Sequence, residues 1–73
     1  MTFEEAQRQL EAEGYKYLGC LDYLDCRIDY WCKPAKKRGK FYVAMVDGWL
    51  GDHKPHISLW STAQLKRLKT RLM

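Results

Sequence analysis

Two helix-start signals, one near each end of the chain, constrain the fold more than any other feature of this sequence. Thr2 is followed three residues later by Glu5, and Ser61 is followed three residues later by Gln64. In this capping-box pattern the hydroxyl and the carboxylate or amide side chain satisfy backbone N–H groups that lack partners at a helix start. The sequence therefore predicts a helix at each end of the chain, with a different structure between them.

Apolar spacing extends both helix predictions. The first helix is predicted over residues 3–13 and the second over residues 62–72, because apolar side chains recur at helical spacing in both. Gly14 is expected just past the first helix, where a glycine adopts positive φ at little cost. Trp60 and Leu65 stand at the two positions of a hydrophobic staple around the second cap.

The middle of the chain is predicted to form antiparallel strands over residues 15–21, 26–33, 40–46 and 56–60. Pro34 is expected to end the second strand, since it cannot donate to the ladder. Residues 49–55 fit either a loop or a short irregular strand. The alternation in the second strand separates one set that should face the helices from another that should face away: Cys26, Ile28, Tyr30 and Cys32 against Arg27, Asp29, Trp31 and Lys33.

These elements define the predicted fold class. It is a single α+β domain over residues 1–73, with an antiparallel sheet of three or four strands flanked by an N-terminal and a C-terminal helix, in the order α-β-β-β-β-α. Both helices are expected on one face of the sheet. No apolar run approaches the roughly 18 residues that a membrane span needs. Nothing resembles a signal peptide, and the three cysteines lack CxxC spacing, so a reducing, cytoplasmic location is expected.

The charge is divided unevenly along the chain. Residues 1–32 contain seven acidic and three basic side chains, a net charge of −4, whereas residues 33–73 contain ten basic and two acidic side chains, a net charge of +8. Such a division predicts two electrostatic faces, one of which meets a partner. The simpler interpretation is that the charges only keep a small domain in solution.

A zinc site is the first chemical hypothesis, with Cys20, Cys26, Cys32, His53 and His56 as candidate ligands. Cys26 and Cys32 lie six residues apart on one predicted strand, which separates them by roughly 20 Å. They cannot share one tetrahedral metal with bonds near ~2.3 Å. We therefore predict no metal and no cofactor, with the cysteines acting as small apolar side chains.

An active site is the second hypothesis. A cysteine nucleophile with His53 or His56 and an aspartate is conceivable, and Asp22 and Asp25 supply two carboxylates on one turn. No local motif supports either arrangement, and a chain this short has little material to enclose a deep pocket. The sequence predicts a protein that is not an enzyme and has no catalytic residues.

Nucleic-acid binding is the third hypothesis. A basic cluster lies on the predicted turn between strands two and three, and Trp31 and Tyr42 are expected to be exposed aromatics on the flanking strands. Phosphate contacts and base stacking are the two ingredients of single-strand binding. The strand and helix order also resembles the double-stranded RNA-binding domain, but the lysine-rich start of that domain's last helix is here replaced by residues 61–64.

Protein binding is the fourth hypothesis and the favoured one. Aromatic side chains flanked by Arg and Lys are typical of interface hot spots, and Tyr17, Tyr23, Trp31 and Trp49 are candidates for exposure. The alternative is that some of these rings form a second small core. The predicted partner-binding residues combine the basic turn, its flanking aromatics and the second helix: Lys36, Lys37, Arg38, Lys40, Trp31, Tyr42, Lys66, Arg67, Lys69 and Arg71.

In its length, its paired terminal helices and its basic second half, the chain resembles the small bacteriophage regulators of host RNA polymerase, of the transcription-inhibitor and antiterminator kind found in a Xanthomonas phage. The resemblance assigns no individual residue. It implies a monomeric phage protein that acts in the host cytoplasm, binds RNA polymerase without chemistry, inhibits initiation and takes part in antitermination. Two alternatives stay open, a direct nucleic-acid-binding domain and another phage inhibitor of host machinery, such as an anti-CRISPR-type protein.

Overall fold

The computed structural model of the protein describes residues 2–24, 26–47 and 53–72. Its elements follow the order α1 (Phe3–Ala12), β1 (Lys16–Asp22), β2 (Arg27–Pro34), β3 (Lys40–Asp47), β4 (His56–Ser61) and α2 (Thr62–Arg71). The predicted α-β-β-β-β-α order is confirmed. The expectations for Asp25 and for the turn and loop at residues 48–52, including an exposed Trp49, lie outside the described residues.

Both helices begin at the predicted caps. The Thr2 hydroxyl accepts a hydrogen bond from the Glu5 backbone N–H at 3.1 Å. At the start of α2 the box is reciprocal, because the Gln64 N–H donates to Ser61 Oγ at 3.3 Å and the Ser61 N–H donates to Gln64 Oε1 at 2.9 Å. Gly14 follows α1 with a φ of +93°, as predicted for a residue that leaves a helix in the left-handed region.

The four strands form one antiparallel sheet in the order β1-β2-β3-β4, so each strand pairs with its neighbour in the sequence. The pairing from β2 to β4 is regular, and Ala44 lies opposite both Trp31 and Ile57. The β1–β2 register shifts between Tyr17 and Gly19, which places a β-bulge in β1. Gly19 has a φ of +141°, a conformation that side chains with a Cβ rarely adopt.

The two helices pack on opposite faces of the sheet, so the prediction that both would cover one face is wrong. We call the two sides the α1 face and the α2 face. On the α1 face, Ala6 and Leu10 of the helix pack with Tyr15, Trp31, Ala44 and Val46. On the α2 face, Leu65 and Leu68 of the helix pack with Tyr30 and Val43, and the partly buried neighbours include Ile28, Cys32, Phe41 and Trp60. The physical reason lies in β3, which is apolar at every position from 41 to 46, because a strand that is apolar on both faces must be covered on both faces.

This arrangement separates the two charged helices. α1 carries Glu4, Glu5 and Glu11 with only Arg8 as a base, and α2 carries four bases and no acid. Alternate residues of the same strands point to opposite sides, and one helix covers each side. The sheet therefore lies between the acidic helix and the basic helix. The division of charge along the sequence thus becomes a division between the two helices, whereas Lys33 of the basic half lies on the α1 face beside Tyr15 and Tyr42.

Candidate functional site

The β2–β3 turn presents a cluster of exposed cations. Pro34 ends β2 as predicted, and the Ala35 backbone N–H donates to the Lys40 carbonyl at 3.0 Å, which closes the turn. Gly39 supports the tight return with a φ of +75°. The side chains of the turn and of the first β3 position, Lys36, Lys37, Arg38 and Lys40, are all exposed. The local backbone therefore holds four predicted partner-binding residues in solvent.

The start of α2 is attached to this turn. The Thr62 backbone N–H and the Thr62 hydroxyl both donate to the Gly39 carbonyl, each at 3.3 Å. Leu65 and Leu68 fix the helix on the sheet, and the four predicted basic residues of the helix are exposed, namely Lys66, Arg67, Lys69 and Arg71. The structure thus attaches one predicted basic segment to the other, and we call the exposed cations of the two segments together the basic surface.

A groove of about 240 Å³ runs between α2 and the sheet beside the basic surface. Arg67 and Arg71 form part of its α2 side, and Tyr23 and Tyr30 form part of its opposite side. Burial is the main reason why the pKa of Tyr30 is raised; the nearby Tyr23 adds to that effect and the Arg71 charge opposes it. The groove therefore combines guanidinium groups with aromatic rings.

Trp31 and Tyr42 do not belong to the basic surface, and the prediction that they are exposed is wrong. Trp31 is 1% exposed, and its ring contacts Phe3 and Tyr17, with centroid separations of 6.0 and 5.1 Å. Tyr42 is half-buried and packs against the same cluster. Both residues lie on the α1 face. The sequence pattern did not reveal that α1 covers this face. Among the aromatics proposed for exposure, Tyr17 and Tyr23 are about half exposed.

A polar network on the α1 face was missed by the sequence reasoning. Asp29 is only 2% exposed, and its Oδ1 accepts from the Tyr17 hydroxyl at 2.7 Å and from Arg27 Nη2 at 3.3 Å. Burial and the hydrogen bond to Asp29 raise the pKa of Tyr17 to about 12. A side-chain hydrogen bond with Tyr17 and the negative charge of Asp29 raise the pKa of Arg27. The available signal was an aspartate inside a predicted strand, where an unpaired carboxylate is unfavourable.

The cysteines and histidines are dispersed. Cys20 is buried, Cys26 and Cys32 are half-buried, and none of the three is joined in a disulfide bond. Burial raises the pKa of the Cys32 thiol, against the opposing charges of Lys69 and Lys16, and a protonated thiol is a poor nucleophile and metal ligand. Within residues 2–24, 26–47 and 53–72, no group of three or more His, Cys, Asp or Glu side chains is placed to hold a metal ion.

No helix among the described residues has the length and apolar character to cross a membrane. No protein-family model, curated protein or solved structure matches the chain.

Proposed function

We propose that this chain is a small non-enzymatic binding protein whose basic surface docks on an acidic surface of a partner protein. The observation that carries the proposal is the attachment of α2 to the β2–β3 turn through Thr62 and Gly39, which holds eight exposed cations on one scaffold. Long exposed cations stabilise the fold little, so their accumulation favours a role in binding. Such a surface accelerates association with an acidic partner through electrostatic steering.

Host RNA polymerase is the specific partner that we propose. This choice comes from the resemblance to small phage regulators, in which docking inhibits the initiation of transcription and also serves antitermination. The protein would then be a phage product that acts as a monomer in the host cytoplasm. The division of charge between the helices supports one-sided docking, because the acidic α1 lies across the sheet from the basic α2 and does not neutralise it.

Direct nucleic-acid binding is the second candidate, and one observation favours it. The groove that contains Tyr23, Arg67 and Arg71 offers a ring and two guanidinium groups beside the basic surface, a combination suited to stacking and phosphate contact. The burial of Trp31 and the partial burial of Tyr42 remove the stacking residues on which the single-strand hypothesis originally relied. Protein docking is therefore preferred.

The test measures binding of the wild-type protein to purified RNA polymerase and, separately, to single-stranded and double-stranded DNA and RNA at physiological salt. Reversal of Lys36, Lys37 and Arg38 to Glu should leave the fold intact and slow association with polymerase strongly. The salt dependence of the association rate should weaken in this variant, because fewer charges take part.

A matched pair of single reversals controls for net charge. Arg67→Glu and Arg8→Glu change the total charge equally, and both residues are exposed on helices, but Arg67 belongs to the basic surface and Arg8 to α1. Only Arg67→Glu should weaken binding. Equal effects of the two variants would show that net charge alone matters. Tight nucleic-acid binding without polymerase binding would establish the second candidate.

If neither purified partner binds, the choice of polymerase is wrong. An affinity capture from bacterial lysate, with and without nuclease, then separates the remaining possibilities. A captured protein that survives nuclease treatment and is lost in the triple reversal supports docking by the basic surface on another host protein, as in the anti-CRISPR-type alternative. A capture that nuclease abolishes indicates a nucleic-acid bridge.

A further inference from the structure

The two edge strands of the sheet differ in how they are protected. β1 contains a β-bulge between Tyr17 and Gly19 and carries a charged residue at each end, Lys16 and Asp22. Bulges and charges are common devices that keep an edge strand from pairing with another chain. β4, at the opposite edge, pairs with β3 alone among the described strands, in a regular register. Its residues 56–61 include no acidic residue, lysine, arginine or proline. Of the two edges, β4 is therefore the one suited to accept a further strand.

β4 also exposes apolar side chains at alternate positions. Ile57 is 47% exposed and Leu59 is 50% exposed. Their partners on β3 are Ala44, which is buried in the cluster on the α1 face, and Tyr42, which packs against that cluster. Directly paired residues point to the same face, so Ile57 and Leu59 lie on the α1 face, where α1 does not cover them. Two such side chains are suited to contact the alternate side chains of an added strand.

Charge distinguishes the two ends of the β4 edge. At the C-terminal end, Ser61 pairs with Lys40, an exposed cation of the basic surface. Near the N-terminal end, a groove between α1 and β4 is lined by Glu13 as well as by Lys54, so an acid lies in the same groove as a base. An acidic segment is therefore attracted more strongly to the end of β4 at Ser61 than to the other end.

We propose that the docking partner adds a strand to the β4 edge. The inference rests on the proposed docking function and specifies how the partner binds. The added segment runs antiparallel to β4, which continues the antiparallel order of the sheet. Its acidic residues come first and lie beside Ser61 and Lys40. Apolar residues at alternate positions follow, and they contact Leu59 and then Ile57. The partner therefore supplies an extended segment in which an acidic run precedes alternating apolar residues.

A second copy of this chain is a less suitable occupant. Antiparallel pairing of two β4 strands that aligns Ile57 with Leu59 places the start of one strand beside Ser61 of the other. Lys54 of one copy then lies at the end of β4 where Lys40 of the other copy already supplies a positive charge. Self-pairing brings like charges together, whereas an acidic partner segment brings opposite charges together.

The test uses a synthetic peptide of three glutamates followed by alternating valine and threonine as the probe of strand addition. Two-dimensional ¹⁵N–¹H spectra of the full chain follow its binding, and amide hydrogen exchange is measured with and without the peptide. The peptide should shift the β4 amide signals in a saturable way and slow their exchange, because an added strand supplies acceptors to the N–H groups that point away from β3. Amides of β1, at the other edge, should not gain protection.

Two altered peptides separate strand addition from simple charge attraction. A peptide that is N-methylated throughout its alternating segment keeps its charges but loses its backbone donors. It should bind at least about tenfold more weakly, the factor that corresponds to one or two lost hydrogen bonds. A peptide with the glutamates placed after the alternating segment should also bind more weakly, because its charges then lie at the wrong end of β4. Equal binding of all three peptides, or protection of β1 in place of β4, would overturn the proposal.

Leu59→Lys and Leu24→Lys form a matched pair of protein variants. Leu59 lies on β4, and Leu24 is a fully exposed leucine between β1 and β2. Both substitutions add one positive charge, which by itself strengthens attraction for an acidic segment. Only Leu59→Lys should weaken binding of the peptide and of RNA polymerase, because it alone removes an apolar contact at the β4 edge. Peptide binding that is equal in the two variants would contradict strand addition.

The same measurements separate a failure of this proposal from a failure of the docking function. If reversal of Lys36, Lys37 and Arg38 weakens polymerase binding but Leu59→Lys does not, docking by the basic surface stands and strand addition is wrong. If the peptide binds at β4 but polymerase does not bind at all, the strand site stands and the choice of polymerase is wrong. A dimer in sedimentation experiments that Leu59→Lys abolishes would identify a second copy as the occupant and overturn the proposal.

Discussion

The two faces of this sheet are made by alternate residues of the same strands, yet they differ in chemistry. On β2, Ile28, Tyr30 and Cys32 point to the α2 face and contribute to an apolar cluster under a basic helix. Their neighbours Asp29 and Trp31 point to the α1 face, where a buried carboxylate and a cavity lie beside an acidic helix. One face combines an apolar interior with outward charge, and the other contains polar groups within its interior. The difference teaches that one small sheet can bury an apolar cluster on one side and a hydrogen-bonded carboxylate on the other.

The largest expected effect comes from a buried residue on the α1 face, and it tests whether this face is a packed core like the α2 face. Leu10 is 1% exposed beneath α1, and Leu10→Ala should lower the free energy of unfolding by about 2–5 kcal/mol, because it leaves a cavity under the helix. Leu59→Ala is the control, since Leu59 is 50% exposed and should lose about 1 kcal/mol or less. Urea unfolding measures both. Equal losses would mean that α1 does not cover the sheet, and the contrast between the faces would fail.

A smaller effect is expected from the polar network that distinguishes the α1 face. Tyr17→Phe removes the shorter of the two hydrogen bonds to the buried Asp29 and should cost about 1–3 kcal/mol. Tyr23→Phe removes the hydroxyl of a half-exposed tyrosine that lines the groove between α2 and the sheet. It should change the free energy of unfolding by less than about 0.5 kcal/mol. The same unfolding measurement compares them. If Tyr23→Phe proves the more destabilising, the structurally important polar group lies on the α2 face instead.

The helix caps allow a finer comparison between the faces. Ser61→Ala removes the acceptor of the reciprocal capping box and should cost about 1 kcal/mol, visible as a lower melting temperature. Thr2→Ala should also cost about 1 kcal/mol, because the Thr2 hydroxyl accepts from the Glu5 N–H at the start of α1 and donates to the exposed Glu5 carboxylate. Ser58→Ala, in the middle of β4, is the control for loss of a serine hydroxyl. A melting temperature lowered by Ser58→Ala but not by Ser61→Ala would contradict the assigned start of α2.

The smallest expected effect is a dependence on alkaline pH that belongs to the α1 face. Folding raises the pKa of Tyr17 to about 12, so the protonated phenol favours the folded state. This contribution is complete below the unfolded pKa of about 10 and is lost as the pH rises through about 12. Ultraviolet titration of phenolate formation in wild type and Tyr17→Phe should show one late-titrating tyrosine missing from the variant. The stability difference between the two proteins should narrow over the same interval.

The elements of the fold were predictable from local signals. The residues responsible affect only their near neighbours. Ser61 caps the helix that follows it, Pro34 ends the strand that contains it, and Gly14 forms the turn after α1. The exposure of the cations of the basic surface was also predictable, because long cations on turns and helices remain in solvent. The attachment of Thr62 to Gly39 joins segments that are distant in sequence, and no local pattern reports it.

The faces of the sheet were not predictable from β2 alone. Its alternation identifies two sets of residues but does not say that both are covered, and it places Trp31 in one set with Arg27 and Lys33, which predicts exposure. The deciding signal was the uninterrupted apolar run of β3, whose two sets of side chains each need a helix. The cavity beside Asp29 depends on the packing of Phe3 and Tyr17 around it, which becomes visible only in three dimensions.

The order of the strands has a consequence for how the chain folds. Because every strand pairs with its neighbour in the sequence, the sheet can form by successive closure of short hairpins, and α2 follows the edge strand β4 directly. The packing of both helices also brings together segments that are far apart along the chain, such as Leu10 with Ala44 and Leu68 with Tyr30. Hairpins between successive strands close short loops and form quickly, because little loop-closure entropy is lost before contacts form. The hairpins can therefore form before either helix covers its face of the sheet.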